Sequence, residues 1–158
     1  ANICRLTHYD PRCVGSCVIV SLLIHNLIYK NVGLSYNEMV DIAMKYDERI
    51  VDYIDLSLSP DIKALELQEE CAAGYTLKCL SAGLWAYRHA KSFEDGLLAM
   101  VRAGGDADTN AAVACGILGA KFGYESIPAE YKDGLIYRQQ LDDVIGGLIQ
   151  ISSINRPT

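Results

Sequence analysis

The chain has 158 residues, 51% of them hydrophobic and 22% charged, which suits one globular domain and excludes a disordered or collagen-like polymer. Its net charge of −6 is a poor match to a phosphate backbone and argues against general nucleic-acid binding. Cys4, Cys13, Cys17, Cys71, Cys79 and Cys115 form no CxxC pair. Four of them fall in apolar, helix-like runs, so we expect reduced, mostly buried thiols of an intracellular chain rather than disulfides or a zinc site. The most apolar stretch, Val14 to Ile28, is interrupted by Gly15, Ser16, Ser21, His25 and Asn26 and is expected to fall short of a membrane span. No basic lead-in and cleavage site open the chain, so a soluble, cytoplasmic location is expected. The first residue is Ala1 rather than Met, which suggests a piece of something longer.

The punctuation is that of a helical protein. Asp10-Pro11 gives an N-cap and a proline at the first helical position, opening a helix to about Asn31 with a stop at Gly33. Ser35-Tyr36-Asn37-Glu38 has the spacing of a capping box, and Leu34 and Met39 can staple across it. Ser59-Pro60 repeats the proline start for a helix through about Glu70. From Thr76 or Leu77 to about Ala90, Leu77, Leu80, Leu84 and Tyr87 recur at spacings of three and four. Ser92 to Asp95 is again cap-like, and Phe93, Leu97, Met100 and Val101 carry an apolar face to Gly104-Gly105. Thr109 to Phe122 is a run of small residues closed by Gly123, expected to be central and closely approached by neighbours. Weaker helices follow near Pro128 to Leu135 and from about Gln139 to Ile151. No stretch alternates as a strand does, so the fold class is all-α.

Chemistry concentrates in Arg102-Ala103-Gly104-Gly105-Asp106-Ala107-Asp108-Thr109-Asn110. Carboxylates at i and i+2 point about 200° apart within a helix. They converge only if the first lies in a loop and the second at or before the helix start, with Asp108 or Thr109 at the N-cap. Two carboxylates and a hydroxyl then form a hard, oxygen-only donor set suited to Mg²⁺ or Ca²⁺. Gly104 and Gly105 leave backbone room for a ligand. The same residues also serve as a plain helix terminator and N-cap. A second candidate is Thr7-His8-Tyr9-Asp10, where His8 and Tyr9 stand just outside a helix and can face a cleft. Asp142-Asp143 reads as a solvated helix turn.

Together these segments resemble the ADP-ribosylglycohydrolase family, the group of the dinitrogenase-reductase-activating glycohydrolases and ADP-ribosyl-acceptor hydrolases. Gly104 to Thr109 is similar to its G-G-D-x-D-T metal motif, and Ala111 to Gly123 with Ile127-Pro128 to its small-residue helix and I-P turn. Thr7-His8 with Asp10-Pro11, Gly74-Tyr75-Thr76 to Trp85, and Phe93-Glu94-Asp95 also fit, over nearly the whole chain. The resemblance implies a helical bundle around two Mg²⁺ ions, binding ADP-ribose or an ADP-ribosylated protein and hydrolysing an N- or O-glycosidic bond. It assigns Asp106 and Asp108 as metal-holding catalytic residues, Thr109 as a further metal ligand, and His8, Gly104 and Gly105 as substrate contacts. The family's G-D-A-x-G and T-D-D segments are missing. Residues 1–158 therefore look like the C-terminal portion of one domain, with the N-terminal half as a separate chain or fragment.

Overall fold

The computed structural model describes residues 1–69 and 72–154 and, among them, contains helices and no strand. The fold is all-α, as the sequence indicates. The chain forms two compact units, residues 1–126 and 127–158.

In the first unit α1 (Pro11–Lys30) starts as expected, with the Asp10 carboxylate accepting from the Arg12 N–H at 2.8 Å. The Arg12 guanidinium closes on the same carboxylate (2.6 Å) and holds the Asp10 carboxyl down at about 2. Asn31 ends the helix in the left-handed conformation. With 20 residues, α1 is long and apolar enough to cross a membrane by length and composition alone, which corrects the sequence reading. Its interruptions are uncharged and do not break an apolar run. A core helix passes the same test, and α1 buries Val14, Ile19 and Leu23 within this unit.

The capping box of α2 (Tyr36–Met44) is complete: the Ser35 N–H donates to Glu38 Oε2 at 2.8 Å and the Glu38 N–H to Ser35 Oγ at 3.3 Å. Leu34 and Met39 are both buried beside it. A helix absent from the sequence reading, α3 (Arg49–Leu56), follows and buries Ile50 and Ile54. It repeats the device that opens α1, with Asp47 accepting from both the N–H and the guanidinium of Arg49.

The helix expected from Ser59-Pro60 to Glu70 does not form. Asp61 caps only a short 3-10 helix, Ile62–Leu65, and Glu66 turns the chain through positive φ. Glu70 and Cys71 lie outside the described residues.

The core is built on α4 (Thr76–His89), which buries nine residues, with α5 (Phe93–Ala103) and α6 (Ala107–Phe122). On α5 the buried row is Phe93, Gly96 and Met100, while Val101 faces water. As expected, α6 is central, packed against α1, α4 and α5, although the glycines with the tightest surroundings belong to its neighbours. A Cβ on Gly119 would have nothing within 4 Å, and one on Gly116 only Ile24 at 4.0 Å, whereas a Cβ on Gly83 would meet Ile117 at 3.0 Å. A Cβ on Gly96 would stand 2.4 Å from Leu118 Cδ1 and 3.0 Å from Ala90. Gly96→Ala is therefore expected to lower unfolding free energy by about 1–3 kcal/mol, the usual cost of overpacking. Urea unfolding measures it, and an unchanged midpoint would show that Leu118 moves aside freely.

In the second unit Pro128 caps α7 (Ala129–Asp133), and α8 (Arg138–Ile154) follows. Arg138 pairs with Asp133 and, at 3.3 Å, with Asp142, while Gln139 donates to Asp143 at 3.1 Å. Asp142 and Asp143 are solvent-exposed, as a solvated turn requires.

Candidate functional site

Gly104 and Gly105 carry the chain from α5 to α6. Gly104 has φ 72° and ψ −153°, and Gly105 has φ 66°, conformations that favour glycine. They complete the turn earlier than expected. Asp106, not Asp108 or Thr109, is the N-cap, and the helix begins at Ala107. The expected arrangement is met for the first carboxylate only: Asp106 stands outside the helix, while Asp108 sits in its first turn rather than at or before its start.

The Asp106 carboxylate does not cap its own helix. Its Oδ2 accepts instead from the N–H of Gly74, 2.8 Å away. That bond first, then the Thr109 hydroxyl, with a smaller contribution from Asp108, holds the Asp106 carboxyl below the usual carboxylate range. Asp108 and Thr109 are solvent-exposed, and Asp108 Oδ1 accepts from the Thr109 N–H at 3.0 Å. Two carboxylates and a hydroxyl thus share one exposed corner. Among the described residues no three His, Cys, Asp or Glu side chains are placed to hold a metal ion. As an open oxygen-only set, Asp106, Asp108 and Thr109 suit part of the shell of a hard cation.

His8 is exposed, with Nδ1 2.9 Å from Thr7 Oγ1, and lines a cavity of about 340 Å³ together with Gly74, Thr76 and Cys79. Two contacts join this cavity to the aspartates: the Gly74 N–H bonds Asp106, and the Cys79 thiol donates to the Thr109 carbonyl at 3.8 Å. Burial, then the Asp106 charge, pushes the Cys79 thiol up to about 11. His8 and Gly74 line the cavity itself; Gly104, Gly105, Asp106, Asp108 and Thr109 do not.

Sequence reasoning missed the loop that holds the glycines. A Cβ on Gly105 would lie 1.9 Å from the Leu67 carbonyl oxygen, and Gln68 Nε2 donates to the Ala103 carbonyl at 2.8 Å. Lys78, buried on α4, anchors this loop: its Nζ donates to the Leu65 carbonyl at 2.8 Å and pairs with Glu69 at 3.2 Å and Glu66 at 3.6 Å. A lysine between Leu77 and Leu80, on the face of a core helix, was the available signal. Lys78→Met is expected to cost about 2 kcal/mol, because it strips a charged hydrogen bond from a buried carbonyl. Denaturant unfolding reports the loss; wild-type stability in this variant would remove Lys78 as the anchor.

The described cysteines are free thiols, as expected, but they are not mostly buried. Of the five described, Cys4, Cys13, Cys79 and Cys115 are half-buried and Cys17 is exposed.

Comparison with known proteins adds relatedness to this geometry. The family model described as ADP-ribosylglycohydrolase matches residues 1–156. ADP-ribosylarginine hydrolase Tri1 of Serratia proteamaculans is 27% identical over 138 residues, covering 87% of this chain and 36% of that protein. An uncharacterized protein of Archaeoglobus fulgidus is 28% identical over 153 residues, covering 93% of this chain and 48% of its own length. ADP-ribosylarginine hydrolase Tri1 of Pseudomonas putida is 31% identical over 70 residues, or 44% of this chain and 19% of that protein. The chain thus spans less than half the length of these relatives. No solved structure matches it.

Proposed function

The chain belongs to the ADP-ribosylglycohydrolase family, and on that premise we propose that it supplies the C-terminal part of a cytoplasmic hydrolase site that releases ADP-ribose from a modified side chain. The observation that carries this reading is the Asp106 carboxylate, tied to Gly74 and gathered with Asp108 and Thr109 at the start of α6. An N-glycosidic link to arginine is the preferred bond, in keeping with the name of the Serratia relative.

Asp106, Asp108 and Thr109 would hold Mg²⁺, with two ions in the complete site. Bound there, the metal supplies charge stabilisation and polarises water. The remaining oxygen donors are assigned to a T-D-D-bearing segment outside these 158 residues, because three donors do not fill two octahedral shells. The chain's own residues have distinct tasks. Asp106, kept ionised by the Gly74 N–H, presents a fixed negative charge. The Gly104-Gly105 turn brings backbone close to the ligand, and His8 contacts the substrate from the neighbouring cavity wall.

A second reading rests on the missing T-D-D motif: a module that binds ADP-ribose without hydrolysing it. Turnover of ADP-ribosylated arginine separates the two.

Calorimetry of ADP-ribose binding to the 158-residue chain tests the site. Binding is expected in Mg²⁺ and lost both in EDTA and in Asp106→Ala. Equal heats in all three would overturn the metal-ligand assignment.

A further inference from the structure

Four of the five described cysteines, Cys4, Cys13, Cys17 and Cys79, line the same cavity as His8. This clustering has no part in the proposed hydrolysis, and the sequence carries no hint of it, because Cys4, Cys17 and Cys79 come from three different elements. Cys13 and Cys17 lie one turn apart on α1. Helical residues at i and i+4 hold their Cβ atoms about 5–6 Å apart, beyond the roughly 3.8 Å of a disulfide, so this pair cannot close on itself.

Cys4 is different. It stands on the short 3-10 helix Cys4–Leu6, which buries no residue. Its Sγ lies 3.9 Å from the His8 carbonyl oxygen, and it shares the cavity wall with Cys17. Cys17 is exposed and Cys4 half-buried, so a small reagent reaches the pair from solvent. With no buried side chain, the segment carrying Cys4 adjusts without disturbing the core.

We propose that Cys4 and Cys17 form a reversible dithiol–disulfide pair in the wall of this cavity, a redox modification site whose oxidant is a low-molecular-weight disulfide such as glutathione disulfide. The exposed Cys17 loses its proton and attacks the reagent, breaking its S–S bond; a mixed disulfide forms and one glutathione thiol leaves. Cys4 then loses its proton to solvent and attacks the Cys17 sulfur, expelling the second glutathione. Two protein thiols are oxidised by two electrons, and one glutathione disulfide is reduced to two thiols. The new bond ties the segment before α1 to the helix, across the wall that carries His8.

The test needs no substrate, so its failure leaves the hydrolase reading untouched. The 158-residue chain is equilibrated with glutathione disulfide, its free thiols are blocked, and it is cleaved with trypsin. Cutting after Arg5, Arg12 and Lys30 puts Cys4 in one peptide and Cys13 and Cys17 together in another. The expected product is these two peptides joined, two hydrogens lighter than their sum, and separated again by dithiothreitol. The link should persist in Cys13→Ser and vanish in Cys17→Ser, with circular dichroism confirming that both variants stay helical. Glutathione adducts without an internal link, or a link that survives Cys17→Ser, would overturn the proposal.

Discussion

Gly105→Ala is expected to lower the unfolding free energy by about 3 kcal/mol, the largest single-residue loss in the candidate site. Two effects add. Positive φ is unfavourable for any residue with a side chain, and the new Cβ would overlap the Leu67 carbonyl oxygen 1.9 Å away. The obstacle is backbone, not the end of a flexible side chain, so relief requires moving the loop that Lys78 pins from below. Urea unfolding monitored by circular dichroism gives the value. A loss below about 1 kcal/mol would mean that residues 65–69 shift at little cost. Gly104→Ala makes a useful comparison, since its Cβ would meet the movable Gln68 amide at 2.9 Å; its cost is then mainly conformational.

Asp106→Asn should reduce ADP-ribosyl hydrolysis about 100-fold or more in the protein carrying the complete site, since even outer partners of metal ligands are typically worth 10–100-fold. Stability should stay within about 1 kcal/mol of the parent, because the amide oxygen of asparagine can still accept from Gly74. The contrast between lost turnover and retained folding is the informative result. Parent-like rates in a folded variant would remove Asp106 from the reaction. A variant that unfolds alongside its loss of activity would show instead that the Gly74 bond needs a charged acceptor.

Much of the helical layout is legible in local chemistry. Ser35 with Glu38, Ser92 with Asp95, and Asp10 with Pro11 are caps whose partners lie within three residues, and each opens a helix where expected. The aspartates and their hydroxyl neighbour are also visible as a cluster, because they are contiguous. What is not legible depends on distant chain. Nothing near Asp106 announces that its acceptor capacity goes to Gly74, 32 residues away. The misplaced start of α6 has the same origin: the glycine dihedrals answer to Leu67 and Gln68, which no spacing rule connects to Gly105. Similarly, α3 is held by Ile50 and Ile54 entering the core, and eight residues carry too little periodicity to declare a helix. Ser59-Pro60 misleads in the opposite sense: the cap is Asp61, and the short turn it opens ends where Glu66 passes through positive φ.

The arrangement of α4 has a consequence for what kinds of change the chain tolerates. Within fourteen residues, this helix offers Lys78 to the buttressing loop, Cys79 to the carbonyl of Thr109, Gly83 to the side chains of α6, and the Tyr87 carbonyl to Lys121. Each faces its partner only because of its angular phase. A substitution at one position alters one of these relations, but inserting or deleting a single residue would rotate every later one by about 100°. Between Thr76 and His89, then, the chain is free to vary in spelling and not in length.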